Sequence, residues 1–168
     1  MIQVYQNIID QGNGDCMQAV MASLFEKSMN EVPHFISLGK NWFSEFYKFV
    51  NDNGYSYDGT LNNKRYSKIL SPNQSCFEIK KYYKWSIITK SNLHKELGIN
   101  DLFFASVLSP RYTKSILKKH ITHAVIIDKN FNIVHDPNPE YKNIIKYPIA
   151  DIIGYKGIIY IYLINPKQ

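Results

Sequence analysis

Three residues whose types can form a thiol-based catalytic centre occur in this chain in the order cysteine, histidine and aspartate. Cys16 lies within residues 11–18 (QGNGDCMQ), where a glycine-rich loop meets an apolar pattern of helical spacing, and His123 and Asp136 follow far downstream. A thiol attacks a carbonyl carbon at neutral pH when its pKa is lowered and a nearby base accepts its proton. The unpaired N–H groups of a helix N-terminus lower a thiol pKa, and histidine is the commonest base. The pattern therefore predicts a cysteine nucleophile.

The sequence around the two downstream residues predicts a β-hairpin. If Lys129 and Asn130 form a two-residue turn, His123 lies opposite Asp136 on one face of the hairpin. The neighbouring His135 then points to the other face. A three-residue turn shifts the pairing by one residue and brings His135 forward instead, so both residues are candidates for the third member of a triad.

Hydrophobic spacing predicts the elements that position these residues. Helices are expected over 16–27 and 41–53, with a short one near 91–97, and strands over 102–108, 121–127, 131–135 and 158–164. Asn13 or Asp15 is available to cap the first helix. A helical half with the cysteine at a helix N-terminus, packed on a C-terminal antiparallel sheet, is an α+β fold. We expect a single domain over residues 1–168.

The positive charge of the chain comes mainly from lysine. Lysine and arginine together number 20 against 14 acidic residues, a net charge of +6, and only Arg65 and Arg111 are arginines. Nucleic-acid sites favour arginine, so we interpret the lysine clusters at 80–85 and 114–119 as a solvated surface and expect no nucleic-acid partner. No segment approaches the ~20 apolar residues of a membrane span, and the N-terminus lacks a secretory signal. These observations favour a cytoplasmic protein.

The cysteine and histidine content predicts no cofactor and no metal site. Two cysteines, Cys16 and Cys76, make no disulfide framework, and no Cys/His cluster has the spacing of a structural zinc site. Cys76 has no neighbouring histidine in the sequence to activate it, so we interpret it as structural. His120 and His123 are close enough in sequence to share a metal ion, but no third ligand is evident.

The order of these residues resembles that of the papain-like cysteine peptidase superfamily. The resembling features are Gln11 shortly before Asp15 and Cys16 at a helix start, His123 at the start of one strand, and Asp136 with a proline at the end of the next. Within the superfamily, the chain is most similar to the bacteriocin-processing peptidase domains of ABC transporters and to short phage-encoded domains of that kind.

The resemblance implies a role for each motif residue. Cys16 is the nucleophile, His123 the base and later the acid, and Asp136 the carboxylate that orients the imidazole. Gln11 supplies the side chain of the oxyanion hole, together with the backbone N–H of Cys16. Two features depart from the family: Gln11 lies five residues before the cysteine instead of six, and Met17 replaces the glycine expected after the cysteine.

The sequence leaves two alternatives open. An NlpC-type cell-wall peptidase also has Asp-Cys at a helix start, and its two histidines have the spacing of His123 and His135, which predicts a Cys-His-His triad. A binding or effector module can instead retain the fold and act by contact alone. The favoured interpretation is a peptidase or amidase that acts on a peptide, a protein or a small amide. Deamidation and transglutamination are other outcomes of the same acyl-enzyme chemistry.

Overall fold

The computed structural model describes residues 1–9, 13–62, 84–87, 90–108, 122–141, 147–148 and 158–167. Gln11, Cys76, His120 and nearly all of both lysine clusters lie outside these ranges, so the expectations for them stay predictions.

The described residues form an α+β fold, as predicted. The helices are α1 (Cys16–Leu24), α2 (Trp42–Asp52) and α3 (Lys90–His94), and short 3-10 helices span Met29–Glu31, Phe35–Asn41 and Pro139–Tyr141. The strands are β1 (Tyr55–Asn62), β2 (Lys84–Ile87), β3 (Leu102–Leu108), β4 (Thr122–Asp128), β5 (Asn132–His135), β6 (Tyr147–Pro148) and β7 (Ile158–Pro166). Among the described helices, none has the length and apolar character that crossing a membrane requires.

The elements differ from the sequence expectation mainly at helix ends and before residue 100. α1 ends at Leu24, short of the predicted residue 27, because Glu26 adopts a left-handed conformation (φ 55°) that a right-handed helix cannot include. α2 ends close to its predicted end, just before Gly54, whose φ of 84° suits glycine. The sequence does not predict β1 as one strand, because YSYDGTLN places turn-forming residues among its apolar ones.

All seven described strands belong to one sheet, in the order β2-β1-β7-β3-β4-β5-β6. The five strands of the C-terminal half, β3 to β7, pair with one another antiparallel, as predicted for that half. The last strand, β7, lies between β3 and β1 and joins this half to β1 and β2, which pair in parallel. β4, which carries His123, is therefore held between two neighbouring strands.

Apolar residues cover both faces of this sheet. On one face, α1 packs on β3 and β4, and α2 packs on β1. Phe46 of α2 is fully buried there and contacts the rings of Phe104 and Tyr162, with ring centroids 6.4 and 5.9 Å away. On the other face, alternate strand residues such as Phe103 pack with Leu93 of α3. Burial on both faces explains why β3 and β4 have continuous apolar sequences.

The turn between β4 and β5 is longer than predicted, so the expected two-residue turn is wrong. Asp128 Oδ1 accepts the N–H groups of Asn130 (2.8 Å) and Asn132 (2.9 Å). Phe131 lies between them in a left-handed conformation (φ 64°), and its N–H donates to Asp128 O (3.0 Å). The turn therefore contains three residues, which is the common arrangement of a type I turn followed by a left-handed residue.

A β-bulge next to this turn adds a second shift of one residue in the same direction. Ile127 pairs with Ile133 next to the turn, whereas Ile126 pairs with His135, which leaves Val134 as an extra residue. The turn and the bulge together shift the pairing by two residues, so the expectation that His123 lies directly opposite Asp136 is wrong, but the residues of β5 keep their predicted faces. Asp136, and not His135, therefore lies on the same side of the hairpin as His123.

The first nine residues, which we call the N-terminal strap, connect the helical half to this hairpin. Val4 N–H donates to Ser23 Oγ of α1 (2.9 Å), and Val4 O accepts from His135 Nε2 (2.8 Å). The strap therefore ties the helix that begins with the cysteine to the strand that precedes the aspartate.

The substitution Ser23→Ala is expected to destabilise the fold by about 1–3 kcal/mol, because it leaves the partly buried Val4 N–H without its acceptor. Ser44→Ala is the matched control. Both hydroxyls donate to a backbone carbonyl of the preceding turn (Ser23 to Ala19 O at 2.9 Å, Ser44 to Asn41 O at 2.8 Å), but Ser44 is exposed, and about 0.5 kcal/mol or less is expected. Urea denaturation measures both changes. Equal losses in the two variants would contradict a structural role for the strap.

Candidate active site

Cys16 is the first residue of α1 and is partly exposed. Its sulfur receives hydrogen bonds from the backbone N–H groups of Met17, the next residue of the helix, and of Ala124 in β4. It is also hydrogen-bonded to the imidazole of His123. The start of α1 and the start of β4 thus surround the thiol with donors that favour its deprotonated form.

His123, near the start of β4, connects the thiol to a carboxylate. Its Nε2 lies 2.8 Å from Asp136 Oδ1. Since Nε2 is engaged by the carboxylate, Nδ1 is the ring nitrogen that remains for Cys16. His123 is 9% exposed and Asp136 is 7% exposed, so solvent screens their interaction only weakly.

The loop after β5 fixes the position of Asp136. Besides the imidazole, Asp136 Oδ1 accepts the N–H of Asn138 (2.8 Å), which closes a turn across Pro137. Pro137 O in turn accepts the N–H of Gln6 in the N-terminal strap (2.9 Å). The carboxylate is therefore held by its own loop, independently of its bond to His123.

The charges of the thiol and the imidazole stabilise each other. Burial raises the pKa of the Cys16 thiol, but the hydrogen bond and charge of His123 and the two backbone N–H groups outweigh burial and bring that pKa below its ordinary value. For His123, burial lowers the pKa, but the hydrogen bonds and charges of Asp136 and Cys16 raise it to about 9. Both shifts favour a thiolate beside an imidazolium in the neutral range.

His135 has a separate set of partners. Its Nε2 donates to Val4 O (2.8 Å), and its ring packs edge-on against Tyr5 with the centroids 5.2 Å apart. Burial lowers the pKa of His135, and the hydrogen bond to Val4 and the charge of Asp136 offset this only in part. His135 is therefore a neutral group at pH 7 that holds the N-terminal strap.

Asp15 anchors the loop that leads to Cys16. It occupies the N-cap position of α1, but its side chain makes no capping bond, so the expectation of a side-chain cap from this residue is wrong. Its carboxylate instead accepts the N–H groups of Asn7 and Ile8 of the strap, each at 3.0 Å. The sequence does not reveal this role, because nothing in the local pattern shows that the strap returns to the start of α1.

A cavity of about 290 Å³, which we call the apolar pocket, opens beside Cys16. Its walls include the apolar side chains Met17, Ile36, Trp42, Phe104, Ala124 and Tyr162. A larger cavity of about 530 Å³ is lined by β1, β7 and the segment after α3. There the polar groups satisfy one another, since Asn165 Nδ2 donates to Asp58 (2.7 Å) and Glu96 (3.0 Å). Of these two cavities, the apolar pocket is the one that gives access to the thiol.

The structure brings Cys16, His123 and Asp136 into one hydrogen-bonded series. Gln11 lies outside the described ranges, so its role in an oxyanion hole stays a prediction. In the part of the chain that the structure describes, no group of three His, Cys, Asp or Glu side chains is arranged to hold a metal ion. Sequence reasoning missed the contribution of Asn138, although an Asp-Pro-Asn sequence is a turn signal that could have indicated it.

No protein-family model matches the chain, and no curated protein or solved structure is significantly similar to it. The functional interpretation therefore depends on the geometry of the site itself.

Iodoacetamide is expected to alkylate Cys16 rapidly at pH ~6, where an ordinary thiol of pKa ~8.5 is almost entirely protonated. His123→Ala should slow this reaction about tenfold or more, because it removes the hydrogen bond and charge that lower the thiol pKa. Mass spectrometry of the alkylated peptide gives the rate, and Cys16→Ser, which retains Cys76, gives the background. Equal rates in the wild type and His123→Ala would contradict a thiolate–imidazolium pair.

Proposed function

We propose that this protein is a papain-like cysteine hydrolase that cleaves an amide bond through Cys16, His123 and Asp136. The observation that carries the proposal is the position of His123, which is hydrogen-bonded to the thiol and, through Nε2, to a buried carboxylate 2.8 Å away. This is the arrangement of nucleophile, base and orienting group that acyl transfer requires. A cysteine at a helix start beside the antiparallel strands β3 to β7 supports the papain-like assignment.

In the first half of the reaction, Cys16 forms a thioester with the substrate. The thiolate attacks the carbonyl carbon, a carbon–sulfur bond forms, and the carbonyl π electrons move to the oxygen. When the oxyanion collapses, the carbon–nitrogen bond breaks and His123 gives its Nδ1 proton to the leaving amine. Asp136 keeps the imidazole oriented and stabilises its charge until that transfer.

In the second half, water takes the place of the amine. His123, now neutral, accepts a proton from the water as its oxygen attacks the thioester carbon. The carbon–sulfur bond then breaks, which releases the carboxylic acid and restores the thiolate beside the imidazolium. His123 donates a proton in the first half-reaction and accepts one in the second. Its pKa must suit both steps, and the thiol and the carboxylate are the groups that raise it.

The start of α1 is the natural place to stabilise the oxyanion. The first N–H groups of a helix have no partner within the helix, and that of Cys16 is the first of α1. We propose that this N–H binds the oxyanion together with the side chain of Gln11. If an amine resolves the thioester instead of water, the same residues perform transamidation.

Asp136→Ala is expected to reduce turnover about 100-fold or more, because the imidazole loses the group that orients it and stabilises its charge. His135→Gln is the matched control, since it retains a donor for Val4 O and leaves His123 with its partner, so turnover should change little. Cleavage of a library of peptides of known sequence, followed by mass spectrometry, measures activity, with Cys16→Ser as the inactive reference and circular dichroism as the test of folding.

The same experiment separates the alternative functions. Loss of activity in folded His135→Gln with retention in Asp136→Ala would favour the Cys-His-His triad of NlpC-type peptidases. A wild-type protein with a reactive Cys16 thiolate but no cleavage of any peptide would favour the binding module.

The pH dependence of kcat/KM is expected to be bell-shaped. Activity should fall on the acidic side as the thiolate takes up a proton, and on the alkaline side near pH 9, where His123 loses the proton that the leaving amine needs. Asp136→Asn should move the alkaline limb to lower pH, towards the ordinary histidine value of about 6.5, because it removes a charge that raises the pKa of His123. An alkaline limb that does not move would show that another group controls it.

A further inference from the structure

We propose that the substrate carries a bulky apolar side chain, preferably aromatic, which occupies the apolar pocket within one or two residues of the scissile carbonyl. This inference rests on the proposed acyl-transfer function and specifies its substrate class. It favours cleavage of peptide amides at hydrophobic sequences over deamidation of a glutamine side chain.

The position of the apolar pocket connects it directly to the reacting atoms. Cys16 is itself part of its wall. Ala124, whose N–H binds the Cys16 sulfur, and Thr122 also line it, so the pocket lies beside the strand residues that flank His123. An extended peptide advances about 3.3–3.6 Å per residue. A side chain in this pocket therefore belongs to a residue adjacent to the attacked carbonyl or to the next one.

The walls of the apolar pocket select for apolar and aromatic groups. Phe104 and Tyr162 form a stacked pair, with centroids 4.2 Å apart and ring planes within 6°, and Trp42 supplies a third ring. Apart from the thiol, none of the described residues that line the pocket is charged. A charged or amide group that entered would lose water without a charged partner to compensate, whereas a ring would gain apolar and ring–ring contacts.

The size of the apolar pocket restricts the occupant to one side chain. Its volume of about 290 Å³ lies at the lower end of the range for small-molecule sites, ~300–1,000 Å³. The polar groups that face it are single hydroxyls. One is that of Ser106, which is 5% exposed and lies two residues after Phe104 on the same face of β3. A cofactor with several charged groups would find no complement there.

The test uses peptidyl acyloxymethyl ketones, which alkylate a reactive thiol: a bond forms between the sulfur and the methylene carbon next to the ketone, and the carboxylate leaves. The peptide they carry sets the rate. Three probes differ only in sequence: glycine at both positions next to the electrophile, phenylalanine at the first, and phenylalanine at the second. At least one phenylalanine probe is expected to label Cys16 about tenfold or more faster than the glycine probe. A glycine probe that labels as fast as both others would overturn the proposal.

Two exposed positions in the 3-10 helix Phe35–Asn41 provide a matched pair of variants. Ile36 is 41% exposed and lines the apolar pocket, whereas Leu38 is 37% exposed and is not among its lining residues. Ile36→Asp should reduce the phenylalanine-to-glycine rate ratio severalfold, because it places a charge at the rim, and Leu38→Asp should leave the ratio unchanged. An unchanged ratio in Ile36→Asp would contradict occupation of this pocket.

Iodoacetamide, which carries no side chain, distinguishes failure of this inference from failure of the proposed function. Rapid alkylation of Cys16 at pH ~6 without any preference among the probes would overturn only the side-chain inference. Slow alkylation together with no labelling by any probe would overturn both. Because the phenylalanine and glycine probes react with the same thiol, an effect of Ile36→Asp on the reactivity of Cys16 cancels in their rate ratio, and the ratio reports the pocket alone.

Discussion

The structure of the candidate site depends on the buried hydrogen bond between His123 and Asp136. A carboxylate removed from water is unfavourable unless hydrogen bonds and an opposite charge compensate it. The imidazole Nε2 and the N–H of Asn138, each at 2.8 Å, provide that compensation. The carboxylate is best satisfied when the imidazole is protonated and faces it, so one interaction sets both the charge and the orientation of the ring. It also determines that the other ring nitrogen faces Cys16.

Two backbone irregularities and one short segment make that hydrogen bond possible. In a hairpin, a shift of one residue exchanges the two faces, and here it would exchange Asp136 for His135. The three-residue turn and the bulge at Val134 each shift the pairing by one residue in the same direction, and the total shift of two residues leaves the faces unchanged. The N-terminal strap then binds His135 on the other face and ties the hairpin to α1. His135, which the register places outside the site, thus helps to hold the site together through its bond to Val4 O.

The thiol lies at the junction of two different environments. On one side, backbone N–H groups and the imidazole stabilise its negative charge. On the other side, the aromatic walls of the apolar pocket offer no charge and little hydrogen bonding. In the function that we propose, the first environment serves the reaction at the carbonyl, which is common to all amides, and the second discriminates among side chains. Reactivity and selectivity then belong to separate groups of residues around the Cys16 sulfur.

The sequence by itself determined those features that depend on residues close together in the chain. Helical spacing after Cys16, apolar runs around His123 and the order of the two halves were sufficient to predict the α+β fold and the three residues that meet. The tertiary structure alone decided the hairpin register, the anchoring role of Asp15, and the composition of the apolar pocket. The register depends on a bulge with no local signal, and Asp15 binds a segment that returns from the N-terminus. The pocket takes its walls from α1, α2, a 3-10 helix and three strands, and no local pattern records which distant residues will share a cavity.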